Sequence, residues 1–228
     1  MPLVNTVTKN MDDLALTKLL QITDSQFPIG SFAHSVGLET YAQKGLDAVG
    51  LASLLEAQIK VGWGRLDLAA TALAWHTENT AALESLCSEL SSWKVISGPR
   101  QSSLSLGRRL LKLAIRLFPG IAEDLVRLDA PHQAIIFGIL GKRLGIEQRA
   151  LVLAFGHNTL LSSLSAATRC MSLSPEQAQE ILIMLQPKLS QAITRVLADP
   201  KASFFSATPA IDLRAHQQAY LHTRLFQS

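Results

Sequence analysis

Apolar residues recur every three or four positions along nearly the whole chain. Leu51, Leu55, Ile59, Gly62, Leu66, Ala69 and Leu73 form one series; Ala178, Ile181, Leu182, Leu185, Leu189, Ala192, Ile193 and Val196 form another. This spacing follows the helical repeat of about 3.6 residues, so each series predicts an apolar stripe on a helix. The second series carries its own start signal, with Ser174 as N-cap, Pro175 at the first helical position and Gln177 closing a capping box. Pro187 is predicted to kink that helix, because proline removes an intrahelical hydrogen bond. No alternating apolar and polar run reaches strand length. The expected fold is all-α: one compact domain of about eight to ten helices with a mobile C-terminal tail. Short connections are expected near 45–50, 98–99, 119–120, 129–131 and 172–175, where Gly, Pro, Asp and Ser collect. The clearest break is "DPKASFFSATP", over 199–209. These signals divide the chain into a flexible N-terminus (1–12), a helical domain (13–200) and a partner-binding tail (201–228).

Composition sharpens this picture. The 228 residues are 48% hydrophobic and only 17% charged, with mean hydropathy +0.22. No unbroken apolar run approaches the roughly 20 residues of a membrane helix. The best, Ala134 to Gly141, stops at Lys142 and Arg143. No membrane contact is expected, so the excess apolar surface should be buried in the core or against a partner. The N-terminal text has no signal-peptide core. Cys87 and Cys170 lack metal or redox spacing and read as small buried hydrophobes in a reducing, cytoplasmic setting. A net charge of +3 does not demand nucleic acid.

Four stretches hold the candidate chemistry. "DSQFPIGSFAHSVGLE", over 24–39, mixes turn residues with Phe27, Ile29, Phe32 and Leu38. Pro28 pushes Phe27 into an extended conformation, and Gly30 can take positive φ. Ser31 can cap a helix from about Phe32 to Lys44, closed by Gly45, with His34 in its first turn. Ser31, His34 and Ser35 suggest a nucleophilic site, but no oriented acid is specified; Asp24 and Glu39 are merely near. His34 therefore reads as a hydrogen-bonding residue of the loop or of an interface. In "GPRQSSLSLGRRLLKLAIRLFPG", Gln101, Ser105, Arg108, Arg109, Lys112 and Arg116 fall on one helical face and the leucines take the rest. That positive stripe is either a solvated face or a docking surface for an acidic partner. It lacks the aromatic stacking groups that single-stranded nucleic acid would need. In "APHQAIIFGILGKRLGI", Gly138 and Gly141 allow close helix approach, and His132 reads as a structural hydrogen-bonder. The histidines show no metal-binding spacing, and no phosphate-binding GxxxxGKS loop is present. No catalytic, cofactor or metal site is expected. Lastly, Ile211, Leu213, Tyr220, Leu221, Leu225 and Phe226 give the tail apolar residues that must pack on its own domain or on a partner.

Four segments, in order, resemble signatures of the urease accessory protein UreF family: "LLQITDSQFPIGSFAHSVGLE", "RQSSLSLGRRLL", "HQAIIFGILGKRLGI" and the terminal "RLFQS". The resemblance spans nearly the whole chain. It departs near the end, where the family often has His-Glu and then Tyr-Ser, and this chain has a Gln-Ala pair and then His222-Thr223. The resemblance implies an all-α dimer and a non-catalytic adaptor. The adaptor would link UreD (also called UreH) to the GTPase UreG and so help load nickel into apo-urease. Partner-binding residues are then expected at Phe27, Pro28, Gly30, His34, Arg108, Arg109, Lys112, Tyr220, Arg224, Leu225 and Phe226. A different class of function is a GTPase-activating regulator that supplies Arg108 or Arg109 to UreG in trans. A hydrolase using His34 ranks below both.

Overall fold

The computed structural model describes residues 11–30, 37–77, 79–218, 220, 225 and 226. Ten α-helices and one short 3-10 turn make up the described residues, with no strand among them. The helices are α1 (Asp13–Thr23), α2 (Leu38–Gln43), α3 (Ala48–Val61), α4 (Trp63–His76), α5 (Thr80–Trp93), α6 (Ser97–Leu117), α7 (Gln133–Arg143), α8 (Gln148–Cys170), α9 (Pro175–Ala198) and α10 (Pro209–Gln218); the 3-10 turn is Glu123–Arg127. The all-α expectation holds.

The centre is a pair of buried helices. α7 buries every residue from Ala134 to Gly141. It lies against α4, which buries residues on nearly all sides, from Gly64 and Leu66 to Ala74. Gly138 explains how close the two run. A Cβ there would collide with the carbonyl oxygen of Thr71, so only glycine lets the backbones touch. Around this pair sit α6, α8 and α9. One apolar core joins α4 to α7 with α1, the start of α8 and the end of α9. A second joins α2 and α3 with the end of α8 and the start of α9.

Local signals explain several boundaries. Ser174 Oγ accepts from the Gln177 backbone N–H, and the Gln177 side chain accepts in return from the Ser174 N–H at 2.9 Å, completing the capping box. α9 continues through Pro187 as one element to Ala198. The series from Leu51 to Leu73 is not one helix. Gly62, at φ −110° and ψ −128°, separates α3 from α4, and the stripe simply resumes on the far side. The connection expected at 98–99 lies slightly earlier. Pro99 sits in the first turn of α6, where its missing N–H has no intrahelical partner to lose.

Two further expectations need correction. The segment over 199–209 is not a loose break. Ser203 and Phe204 are buried, Ala207 donates to the Val61 carbonyl at 2.8 Å, and Arg65 lies over the Phe205 ring. α8 is long and apolar enough, by length and composition alone, to cross a membrane. Its glycine, asparagine, threonine and serines interrupt every apolar run, so reading for unbroken runs misses it. In the fold its inner side packs on α9, α4, α2 and α7.

Candidate docking surface

The opening turn is built from local bonds. Asp24 Oδ1 accepts from the Gln26 N–H at 2.6 Å, and the Phe27 N–H donates to the Asp24 carbonyl at 3.0 Å. Phe27 and Ile29 point into the main core, whereas Pro28 stays exposed. Phe27 is thus held by the protein's own interior. Gly30 has φ +79°, the left-handed conformation that favours glycine. Ser31, His34 and Ser35 lie outside the described residues.

α6 carries the basic stripe as its pattern predicts. Arg108, Arg109, Lys112 and Arg116 are exposed; Leu104, Leu106, Leu110 and Leu111 are buried. Among the described residues none of these four cations has an ion-pair partner. Arg109 has another role as well. Its guanidinium donates to the Ile29 carbonyl at 3.3 Å, and a Cβ on Gly30 would strike it. The arginine therefore seals the opening turn to α6. Sequence reasoning placed both residues at an interface but could not see that they touch each other.

The tail meets the same region from the other side. Gly37, at φ +87°, presses on the backbone of Ala215 in α10; an added Cβ would lie 2.9 Å from the Ala215 nitrogen. The Gly37 N–H donates to Gln218 Oε1 at 2.7 Å, and Thr40 Oγ1 donates to the Arg214 carbonyl at 3.0 Å. Glu39 is buried, and its Oε1 accepts from the Leu225 N–H at 2.8 Å. Phe226 is buried, with the Arg169 guanidinium 4.7 Å from its ring centre. Tyr220 and Leu225, by contrast, are exposed. Arg224 and His222 lie outside the described residues. The tail's apolar residues thus divide: Ile211 and Phe226 pack on their own domain, while Leu213, Tyr220 and Leu225 face outward.

Beneath α6 lies a polar knot that the sequence only hinted at. His132 is fully buried and bridges two helices. Its Nε2 is 2.8 Å from Ser91 Oγ on α5, and its Nδ1 is 3.0 Å from Ser103 Oγ on α6. Burial, followed by the charges of Lys94, Arg100 and Arg108, pushes its pKa down to about 3. The ring is neutral, so one nitrogen accepts and the other donates. Gly107 fits against this loop so closely that a Cβ would overlap the Pro131 carbonyl. Nearby, Lys94 Nζ pairs with Asp67 at 2.8 Å, both side chains mostly buried. Burial pushes the Cys87 thiol up to about 11, which makes it a poor nucleophile. No group of three metal-ligating side chains occurs among the described residues. The knot holds α5, α6 and the loop before α7 in register.

The family model named UreF matches residues 46–186. A Haemophilus influenzae (strain PittEE) protein described as "Urease accessory protein UreF" is 31% identical over 99% of this chain and 100% of its own length. Proteins of the same description from Actinobacillus pleuropneumoniae serotype 3 (strain JL03) and Nostoc sp. (strain PCC 7120) are 30% and 28% identical. They cover 93% and 97% of the chain and 99% of their own lengths.

Proposed function

Since the chain belongs to the UreF family of urease accessory proteins, we propose that it is a non-catalytic adaptor in urease maturation. It bridges UreD and the GTPase UreG during nickel insertion into apo-urease. The observation that carries this reading is the meeting of three segments on one side of the molecule. The opening turn is sealed to α6 by Arg109, and α2, which follows that turn, is bound to the tail through Gly37, Glu39 and Thr40. Three remote stretches are held in a fixed relation, and the exposed cations of α6 and the exposed Tyr220 and Leu225 stand outward from them. Pro28, Gly30, Arg108, Lys112, Tyr220 and Leu225 would touch partners; Phe27 and Phe226 would support them from beneath. His34 and Arg224 flank the same segments in sequence. The adaptor would work as a homodimer, and Leu16 and Leu20, exposed one turn apart on α1, offer apolar surface for a second copy.

The test is co-purification with UreD, UreG and apo-urease, read as urease activation. Replacing Arg108 and Lys112 by glutamate is expected to slow association and flatten its salt dependence, because rim charges act mainly on the on-rate. Unchanged binding at low salt, with unchanged helix content, would return the stripe to a solvated face. A second reading, a GTPase activator, is favoured by Arg108 alone: it is exposed and has no ion-pair partner among the described residues, whereas Arg109 is tied to Ile29. Single-turnover GTP hydrolysis by UreG separates the two. An activator would accelerate it strongly and lose that effect on Arg108→Ala.

A further inference from the structure

α6 presents two different sides. Through Ser102, Ser103 and Leu106 it lines a cavity of about 220 Å³, with the half-buried Gln133, Asn158 and Ser162 on the wall formed by α7 and α8. The cations stand on another side. Arg108, Arg109, Lys112 and Arg116 follow one another at helical spacing, all exposed, and α6 carries no acidic residue. Among the described residues none of the four is in an ion pair. Like charges at such spacing repel, and a negative partner relieves that repulsion. The four differ in one respect. Among the described residues Arg109 alone is bonded to another part of the protein. Its guanidinium donates to the Ile29 carbonyl at 3.3 Å and lies so near Gly30 that a Cβ there would strike Nη1. Ile29 is buried in the main core, so the carbonyl that holds the arginine is itself held.

That difference decides what each cation can do. A guanidinium carries five N–H donors in a planar fork, and the Ile29 bond leaves most of them for a ligand. A mobile side chain loses rotamer freedom when it binds, whereas a side chain already held has less to lose and binds more tightly. The fork also matches a carboxylate bidentately, which a lysine cannot do. Arg108, Lys112 and Arg116 are exposed and unbonded, so their charges act mainly on the speed of encounter. We propose that Arg109 is the anchor of the stripe: an acidic segment of a partner protein seats one carboxylate on its guanidinium, while Arg108, Lys112 and Arg116 draw that segment in. Gly30 is then a positioning residue, because only the absence of a side chain leaves the guanidinium its seat. This rests on the adaptor reading for the existence of a partner. It adds the chemistry that the partner displays and the residue that holds it.

The experiment uses the full chain, with arginine side chains nitrogen-labelled for NMR and acetyl-Glu-Glu-Glu-Glu-amide as the probe at low salt. The Arg109 Nε–H signal is expected to shift and saturate with this probe, and acetyl-Gln-Gln-Gln-Gln-amide should leave it unmoved. Arg109→Lys keeps the charge and loses the fork. It should weaken the glutamate probe about tenfold, which is one charge-assisted hydrogen bond of about 1.4 kcal/mol. Arg108→Lys, at a side chain with no fixed fork, should change affinity by less than about twofold. Gly30→Ala should displace the arginine without removing it and so weaken the probe as well; if that variant melts early, the two lysine variants decide between the outcomes. Equal losses in Arg109→Lys and Arg108→Lys, an unmoved Arg109 signal at saturation, or no binding of the glutamate probe would overturn the proposal. Capture of UreD and UreG judges the adaptor reading separately. If Arg109→Lys captures them as the parent does, the anchor is lost and the adaptor stands; if the parent binds the probe as expected and captures neither, the adaptor reading alone fails.

Discussion

Replacing Phe226 by alanine should weaken the fold by an amount the geometry sets. The ring is 5% exposed and belongs to the second core, beside residues of α3, α8 and α9. Cutting a buried phenylalanine to alanine costs about 3 to 5 kcal/mol. Losing the contact with Arg169, itself exposed, adds about 0.5 to 1 kcal/mol. The total has a ceiling. Once the loss exceeds what holds the tail down, the tail detaches and the rest of the domain unfolds as before. Detachment also frees Glu39 to be hydrated, which limits the damage from losing the Leu225 N–H. A loss of about 3 kcal/mol is therefore expected. For a chain of this length that is roughly 6 to 12 °C in melting temperature. Urea unfolding should show the same loss as a lower midpoint. Phe226→Leu should recover most of it, since near-isosteric apolar exchanges cost less than about 1.5 kcal/mol. Leu225→Ala, at a side chain 69% exposed, should change stability by less than about 0.5 kcal/mol yet weaken capture of UreD. If Phe226→Ala melts within about 0.5 kcal/mol of the parent, the tail does not pack on its own domain and the reasoning fails.

Three further outcomes follow from buried groups. The folded pKa of His132, about 3, lies below the unfolded value, so its contribution to stability is complete above about pH 6.5 and is lost as pH falls from there towards 3. The loss reaches about 2 kcal/mol by pH 5 at 1.36 kcal/mol per pH unit, and denaturant titrations of His132→Gln should show a flatter acid limb. Lys94→Met leaves Asp67 buried without its partner and should cost about 3 to 5 kcal/mol; adding Asp67→Leu should restore most of that, and a double-mutant cycle that comes out additive would disprove the coupling. Gly107→Ala forces α6 away from the Pro131 carbonyl, so calorimetry should record destabilisation of about 1 to 3 kcal/mol, despite the gain of up to about 1 kcal/mol in helix propensity.

What could be read in the sequence was local. The Ser174–Gln177 box, the stripe of α9, the closing turn at Gly45 and the exposed cations of α6 all follow from short-range spacing, and the structure reproduces them. Local rules blurred where two residues had opposing meanings. Pro99 reads as a stop but is harmless in a first turn, and Gly62 reads as part of a stripe but divides it. The proposed docking surface was half legible. Its residues stand out as signatures, yet their relations are long-range. Nothing in the spacing links Arg109 to Gly30, or Gly37 to Ala215. The wall formed by Gln133, Asn158 and Ser162 was invisible for the same reason: they look like ordinary polar positions until α7 and α8 bring them together.

The bonds between α2 and the tail also impose an order in time. Gly37 waits for Gln218, 181 residues later; Thr40 waits for Arg214, 174 later; Glu39 waits for Leu225, 186 later. At about 5 to 20 residues per second, ribosomal synthesis separates these partners by roughly ten to forty seconds. The α4–α7 centre needs less delay: Thr71 and Gly138, which meet at its closest approach, are separated by fewer than half as many residues and can pair while synthesis continues. The contacts between α2 and the tail are thus the last to form. A chain interrupted before Arg214 would lack the bonds that hold α2, and its second core would lack Phe226. Under the adaptor reading, the fold would thereby build in a test of completeness: only a polypeptide carrying its tail would present the proposed docking surface.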